Sequence, residues 1–252
     1  MTAVAIPAFA PREDSDRNFF LLVLGAIWAG ILAGFIPDAL DHFTGKHVPY
    51  QWIVHVHAAT YVGWLALLTT QMVLIRSGAV AIHRRLGVLG LVMIPIMLIV
   101  GPWAFVVMGN LEFGTPDGDA PFLILPVLAA ASFAIIASAA LLLRRDAAAH
   151  KRLMLIATIV LADAGWARWL GPKLTPFLTK IGASSFITFH VPSFVGSEVV
   201  MASILIYDLA TRRRLHPAVT AAVVFAVLIQ VITTYVYLTP AWKPIATHLL
   251  GH

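Results

Sequence analysis

The chain has 252 residues, of which 60% are hydrophobic and only 12% are charged, and its mean hydropathy is +0.89. Soluble domains carry about 25% charged residues, so this composition excludes an ordinary water-soluble domain and indicates a chain surrounded by lipid. The net charge of +5 would favour a nucleic-acid partner in a soluble protein. In a membrane protein, an excess of lysine and arginine usually reflects their enrichment in the cytoplasmic connections. We therefore expect no nucleic-acid partner. The absence of cysteine excludes disulfides and thiolate ligands.

Seven stretches are long and apolar enough to cross the hydrocarbon layer, which is about 30 Å thick. Lipid tolerates no unpaired backbone groups, so we expect each stretch to be a helix. The sequence therefore predicts an all-α bundle, with residues 1–17 as a cytoplasmic tail, residues 18–240 as a seven-helix domain and residues 241–252 as an external tail. The predicted spans are 18–37, 51–75, 86–108, 121–143, 153–170, 186–210 and 217–238.

Basic residues near the ends of the spans predict the orientation. Connections on the cytoplasmic side of a membrane protein carry more lysine and arginine than those on the outer side. Here twelve basic residues lie on one side and four on the other, so we predict that the N-terminus is in the cytoplasm. We expect the protein to lie in the inner membrane of a bacterial cell. The twelve are Arg12, Arg17, Arg76, Arg84, Arg85, Arg144, Arg145, Lys151, Arg152, Arg212, Arg213 and Arg214, and the four are Lys46, Lys173, Lys180 and Lys243.

Two histidines lie near the predicted outer ends of their spans, and an ionisable residue at membrane depth indicates a functional site. His57 shares a helix face with Tyr61, four residues later, and His190 begins span six. At similar depths, the two imidazoles could bind one haem iron or one metal ion. Glu198, deeper in span six, would then be the carboxylate ligand of a metal.

Span five contains Asp163, near mid-membrane, and Arg168 five residues later. Five residues correspond to about 140° around a helix, so we expect each side chain to find its partner on another helix. Together with Glu198 they are candidates for catalysis, for a proton relay or for a gate. The alternative is a hydrogen-bonded polar core that only specifies helix packing.

His83 and His150 lie in the basic connections before spans three and five. Beside arginine and lysine they could be connection residues that meet anionic lipid. Alternatively, they could form a second ligand pair at the cytoplasmic side, so that two haems carry electrons across the bilayer.

The segment from His57 to Gly87, which ends in His83-Arg84-Arg85-Leu86-Gly87, resembles a family of uncharacterised bacterial multi-pass membrane proteins. The segment His150-Lys151-Arg152-Leu153-Met154 matches the later His-basic-x-x-Met motif of the same family. The likeness covers spans two to five. It implies a membrane location, but it indicates no particular activity. A fainter resemblance, to b-type membrane cytochromes of the ferric-reductase kind, implies transmembrane histidines that pair on haem b.

These features favour a membrane protein that binds haem b or a divalent transition metal through His57 and His190 and takes part in electron transfer. Its partners would be the lipid bilayer and a quinone or another membrane redox protein, and an enzyme of this kind would be an oxidoreductase. Two alternatives stay open. One is a metal-dependent enzyme acting on a lipid-soluble substrate, and the other is a proton-coupled transporter or a non-catalytic membrane subunit.

Overall fold

The computed structural model describes Phe9 and residues 13–45 and 48–252, and these residues form helices and short connections without strands. Arg12 and Lys46, which contribute to the predicted orientation, lie outside the described residues. Nine α-helices and one 3₁₀ helix follow one another in the described part of the chain. They are α1 (Glu13–Phe43), α2 (Trp52–Arg76), α3 (Val80–Leu86), α4 (Val88–Glu112), the 3₁₀ helix (Ala120–Leu123), α5 (Ile124–Leu142), α6 (Ala147–Lys180), α7 (Ser185–Arg212), α8 (Pro217–Leu238) and α9 (Trp242–Leu249).

Seven helical segments in the described residues are long and apolar enough to cross a membrane, which confirms the predicted all-α, seven-span class. The chain is an integral multi-pass membrane protein. Its orientation stays a prediction. The segments are Asp16–Phe43, Trp52–Arg76, Val80–Glu112, Ala120–Leu142, Ala147–Lys180, Ser185–Arg212 and Pro217–Leu238.

Contacts between helix ends show that successive spans run in opposite directions. Arg76, the last residue of α2, donates a hydrogen bond of 3.0 Å to the carbonyl of Arg17 near the start of α1. Tyr237, at the end of α8, donates one of 2.8 Å to Asp119, just before the 3₁₀ helix. We call the end of the bundle where α1 begins the basic end, since most of the arginines lie there, and the other end the far end.

Helix α6 is the centre of the bundle, since α1, α5, α7 and α8 all pack against it. It is much longer than the predicted span, because it begins at Ala147 and continues through Pro172 and Pro176 to Lys180. Proline lacks an N–H group but can still be accommodated in a membrane helix. The extra turns carry α6 beyond the predicted end of span five and bring it alongside the start of α7.

The start of α6 is fixed by Asp146, whose carboxylate accepts hydrogen bonds of 3.0 Å from the backbone N–H groups of Ala148 and Ala149. His216, which precedes α8, lies 3.0 Å from the other carboxylate oxygen. Burial tends to raise the pKa of Asp146, but the hydrogen bonds from Ala149 and His216 outweigh it, and the pKa falls below its ordinary value. The cap therefore stabilises the fold at neutral pH and loses this contribution as the pH falls through the lowered pKa.

Helices α1 and α6 approach each other so closely that glycine is required at their crossing. A Cβ atom on Gly165 would lie 2.6 Å from the carbonyl oxygen of Gly30, and one on Gly34 would clash with the carbonyl oxygen of Gly165. Small residues at such crossings let membrane helices gain van der Waals contact along their backbones. This contact joins α1 to the central helix.

The predicted external tail, residues 241–252, contains helix α9, which packs against the far end of the bundle. Ala246 and Leu250 are buried in a cluster with Leu123 of the 3₁₀ helix. Asn110, near the end of α4, donates a hydrogen bond of 2.6 Å to the carbonyl of Leu250. The segment therefore closes the far end of α4 and α5.

Substitution of Gly34 by alanine should destabilise the protein by about 1–3 kcal/mol, because the methyl group overpacks the crossing of α1 and α6. Gly25→Ala is the matched control on the same helix, since a Cβ atom at Gly25 meets nothing within 4 Å. It should leave stability unchanged or raise it slightly, because alanine favours helix more than glycine does. Thermal unfolding in detergent measures both variants, and equal midpoints would contradict the close crossing.

Candidate functional site

Asp163 lies in the middle of α6, is only 8% exposed and receives hydrogen bonds from two other helices. The hydroxyl of Ser197 on α7 donates to one carboxylate oxygen. The side-chain amide of Gln230 on α8 donates to both oxygens, at 3.3 and 3.1 Å. The prediction that Asp163 finds its partner on another helix is therefore confirmed.

A small cavity adjoins Asp163 and the side-chain amide of Gln230. Its volume of about 10 Å³ corresponds to a single water molecule. Ser132 on α5 and Thr233 on α8 also line it. The side-chain oxygen of Gln230 is buried and has no hydrogen-bond partner. Buried polar atoms of this kind normally find a partner, and the cavity offers room for one beside the carboxylate.

His190 and Glu198 extend this polar region along α7. Nδ1 of His190 lies 2.8 Å from the hydroxyl oxygen of Thr234, which in turn lies 3.0 Å from the carbonyl oxygen of Gln230. The other ring nitrogen, Nε2, then lies 3.1 Å from a carboxylate oxygen of Glu198. Two lone pairs do not attract each other, so a proton must lie between them, either on the imidazole or on the carboxyl group. The contact is therefore a hydrogen bond between two ionisable groups.

A groove of about 540 Å³ opens between α6 and α7 towards their far ends. Its lining consists of small, apolar and hydroxyl side chains, among them Gly171 and Thr175 from α6 and Thr188 from α7. Ser193, which is buried, forms part of its inner wall and lies one helical turn before Ser197. The groove therefore ends close to the polar region around Asp163.

A buried ionic cluster joins α1, α6 and α7 at the basic end. Arg152 makes two hydrogen bonds to Asp208, of 2.8 and 2.7 Å, and both side chains are at most 1% exposed. Arg212 bridges Asp208, at 3.3 Å, to Asp16 of α1, at 2.7 Å. Lys151, 3.3 Å from Asp16, completes the cluster. Arg152, expected in a basic connection, is instead a buried residue of the central helix.

Arg168 forms a separate contact at the far end. Its guanidinium lies 3.4 Å from Asp38 of α1 and over the ring of Phe35. The hydroxyl of Tyr50 donates to the same carboxylate at 2.7 Å, and burial together with Asp38 raises the pKa of Tyr50. The prediction that Arg168 finds a partner on another helix is confirmed, but that partner belongs to α1 and not to the region around Asp163.

His57 and Tyr61 share one face of α2, as predicted, with ring centroids 4.1 Å apart. The Tyr61 hydroxyl donates to the carbonyl of Met97 at 3.0 Å, and Nδ1 of His57 is buried without a partner. However, α2 packs chiefly against α4, whereas α7, which carries His190, packs against α6 and α8. Both ring nitrogens of His190 are already engaged. A ligand site shared by His57 and His190 stays a prediction.

His83 and His150 come together at the basic end, with ring centroids 6.3 Å apart. Within the described residues, no group of three or more histidine, aspartate or glutamate side chains is arranged to hold a metal ion. Haem and metal binding therefore stay predictions.

The residues that complete the site were missed in the sequence because they are neutral or lie near span ends. Gln230 and Thr234 lie four residues apart on one face of α8, a spacing that could have marked them. Asp208 and Arg212 have the same spacing at the end of α7. Polar pairs at this spacing within apolar spans were the available signal.

Comparisons of the chain with protein-family models, with curated proteins and with solved structures gave no match. The function must therefore be argued from the geometry of these residues.

Replacement of Arg152 by methionine should cost about 3–5 kcal/mol of stability, because it leaves Asp208 buried without its main partner. The double variant Arg152→Met with Asp208→Leu removes both charges and should recover much of this loss. Arg85→Met is the control, since Arg85 is exposed at the same end. Unfolding midpoints in detergent test the three variants. A single variant as stable as the control would show that the buried pair contributes nothing.

Proposed function

We propose that this protein is a secondary transporter of the bacterial inner membrane, in which Asp163 binds and releases the proton that drives transport. The observation that carries the proposal is the buried carboxylate at the junction of α6, α7 and α8. A charged side chain at the bilayer centre costs about 2.5–3.5 kcal/mol on insertion scales. A neutral side chain would avoid this cost if the position served packing alone.

The proton shared by His190 and Glu198 supports a route from the far end to Asp163. The pair passes the proton of this contact to Asp163, which neutralises the buried carboxylate. A proton from the far side then binds the pair and restores its starting state. The cavity lined by Asp163 and Gln230 has room for about one water molecule, which could exchange a proton with the carboxylate.

The two ends of the bundle differ in a way that suits alternating access. The groove between α6 and α7 opens at the far end, whereas the cluster of Arg152, Asp208, Arg212 and Asp16 closes the basic end. With the basic end in the cytoplasm, this is an outward-open state. Passage to an inward-open state would separate Arg212 from Asp16, and so would move α7 relative to α1. Such rigid-body movement is the usual means of transport in secondary transporters.

Electron transfer through haem or a metal at His57 and His190 has less support than proton coupling. Nδ1 of His190 is bound to Thr234 and Nε2 faces Glu198, so neither nitrogen is available as a ligand in this arrangement. The same contacts are what a proton-accepting pair requires. We therefore place the proton-coupled transporter ahead of the redox protein.

Asp163→Asn should abolish solute accumulation driven by a pH gradient while it preserves exchange of solute across the membrane. Asparagine mimics the protonated carboxyl group in size and cannot release a proton. Proteoliposomes with an acidic exterior would be incubated with a mixture of small polar solutes, and the accumulated species would be identified by mass spectrometry. Isotope exchange of the accumulated solute, with no pH gradient, gives the second readout.

The control is Asp117→Asn, in the exposed connection between α4 and the 3₁₀ helix, which should behave as wild type. Accumulation by Asp163→Asn at the wild-type level would exclude Asp163 as the coupling residue. If wild-type liposomes accumulate no solute beyond those without protein, the transporter proposal is wrong.

A further inference from the structure

Two histidines from different parts of the chain meet at the basic end, apart from the region around Asp163. His83 lies in α3 and His150 in the first turn of α6, and their ring centroids are 6.3 Å apart with the ring planes at 83°. Imidazole nitrogen is the commonest protein ligand for transition metals. The pair is therefore a candidate ligand set that the transport proposal does not use.

The hydrogen bond made by His150 leaves one of its nitrogens available as a ligand. Nδ1 lies 2.8 Å from the carbonyl oxygen of Ala140, which can only accept, so Nδ1 carries the proton. The lone pair is then on Nε2. A histidine whose first nitrogen donates to a backbone carbonyl while the second faces outward is the usual arrangement of a metal-binding histidine.

Two buried side-chain atoms at this pair have no hydrogen-bond partner. Nδ1 of His83 and the side-chain oxygen of Gln71 are both buried and make no hydrogen bond. The Gln71 side chain adjoins His83, because its amide nitrogen donates a bond of 3.2 Å to the backbone carbonyl of His83. Buried polar atoms normally have a partner, so these atoms are candidates for contact with a metal ion or a hydrogen-bond donor.

The separation of the two rings suits one metal ion between them. With metal–nitrogen bonds of about 2.0–2.1 Å, the centroids of two imidazoles on one ion lie about 5–6.5 Å apart, depending on the angle at the metal. The observed 6.3 Å lies at the upper end of this interval, which corresponds to two imidazoles nearly opposite each other across the ion, as in a square-planar Cu²⁺ site. We propose that His83 and His150 bind a divalent transition-metal ion with square-planar preference, such as Cu²⁺, with the side-chain oxygen of Gln71 as a third ligand.

The charges of the ligands set the expected strength of this site. Two neutral imidazoles and an amide oxygen do not offset the charge of the ion, and Arg84 adjoins His83 in the sequence. Binding should therefore be weaker than at a site with three histidines or a carboxylate ligand. Imidazole ligands favour copper, zinc and nickel over magnesium and calcium.

Titration of the metal-free, detergent-purified protein with Cu²⁺ tests the site, provided that purification uses a tag without histidine. Wild type should bind one ion, and the electron paramagnetic resonance spectrum should show coupling to two imidazole nitrogens. His83→Gln and His150→Gln should each weaken binding at least about tenfold, since even the loss of a residue that only supports a ligand costs that much. Gln71→Leu should weaken binding less.

His55→Gln is the matched control, because His55 is an exposed histidine at the other end of the bundle, and it should bind as wild type does. Cu²⁺ should also raise the unfolding temperature of wild type and not that of the two histidine variants. Wild-type affinity in either variant would overturn the proposal. If a variant fails to fold, the wild-type spectrum decides, and coupling to fewer than two nitrogens overturns the site.

Discussion

The structure depends on one constraint: a carboxylate in the middle of a lipid-embedded bundle must receive hydrogen bonds from neighbouring helices. Asp163 meets this requirement through Ser197 on α7 and Gln230 on α8, so three helices are fixed around a single side chain. The backbone contact of Gly34 and Gly165 adds α1 on the other side of α6. The central helix is thus joined to one neighbour by close packing and to two others by polar contacts, and the polar contacts are stronger in the absence of water.

The polar residues of the bundle divide into two groups with different properties. At the basic end, Arg152 and Asp208 satisfy each other in a buried bidentate pair, an arrangement that favours rigidity. Nearer the far end, Gln230 has an unpaired oxygen, and the contact between His190 and Glu198 requires a proton. The first group has its carboxylate fully engaged by arginine, whereas the second combines an unengaged oxygen with two ionisable groups in contact. The second group is therefore where chemistry is expected.

The sequence predicts the helices more reliably than it predicts their contacts. Span number and class follow from hydropathy, and the separate partners of Asp163 and Arg168 follow from helical geometry, because five residues correspond to about 140°. The extension of α6 to Lys180 was not predicted, because prolines such as Pro172 and Pro176 usually indicate the end of a helix. The burial of Arg152 was not predicted either, because a basic residue near a span end normally reports topology. Contacts such as that between Thr234 and His190 depend on which helices are neighbours, and hydropathy carries no such information.

The central claim, that Asp163 exchanges a proton, is tested most directly by infrared difference spectroscopy of the protein in lipid during a pH titration. The account predicts an absorption band from a protonated carboxyl group that appears and disappears with pH and is missing from Asp163→Asn. The corresponding band of Glu198 can be separated from it with Glu198→Gln. A carboxyl group at Asp163 that keeps one protonation state throughout the titration would contradict the account.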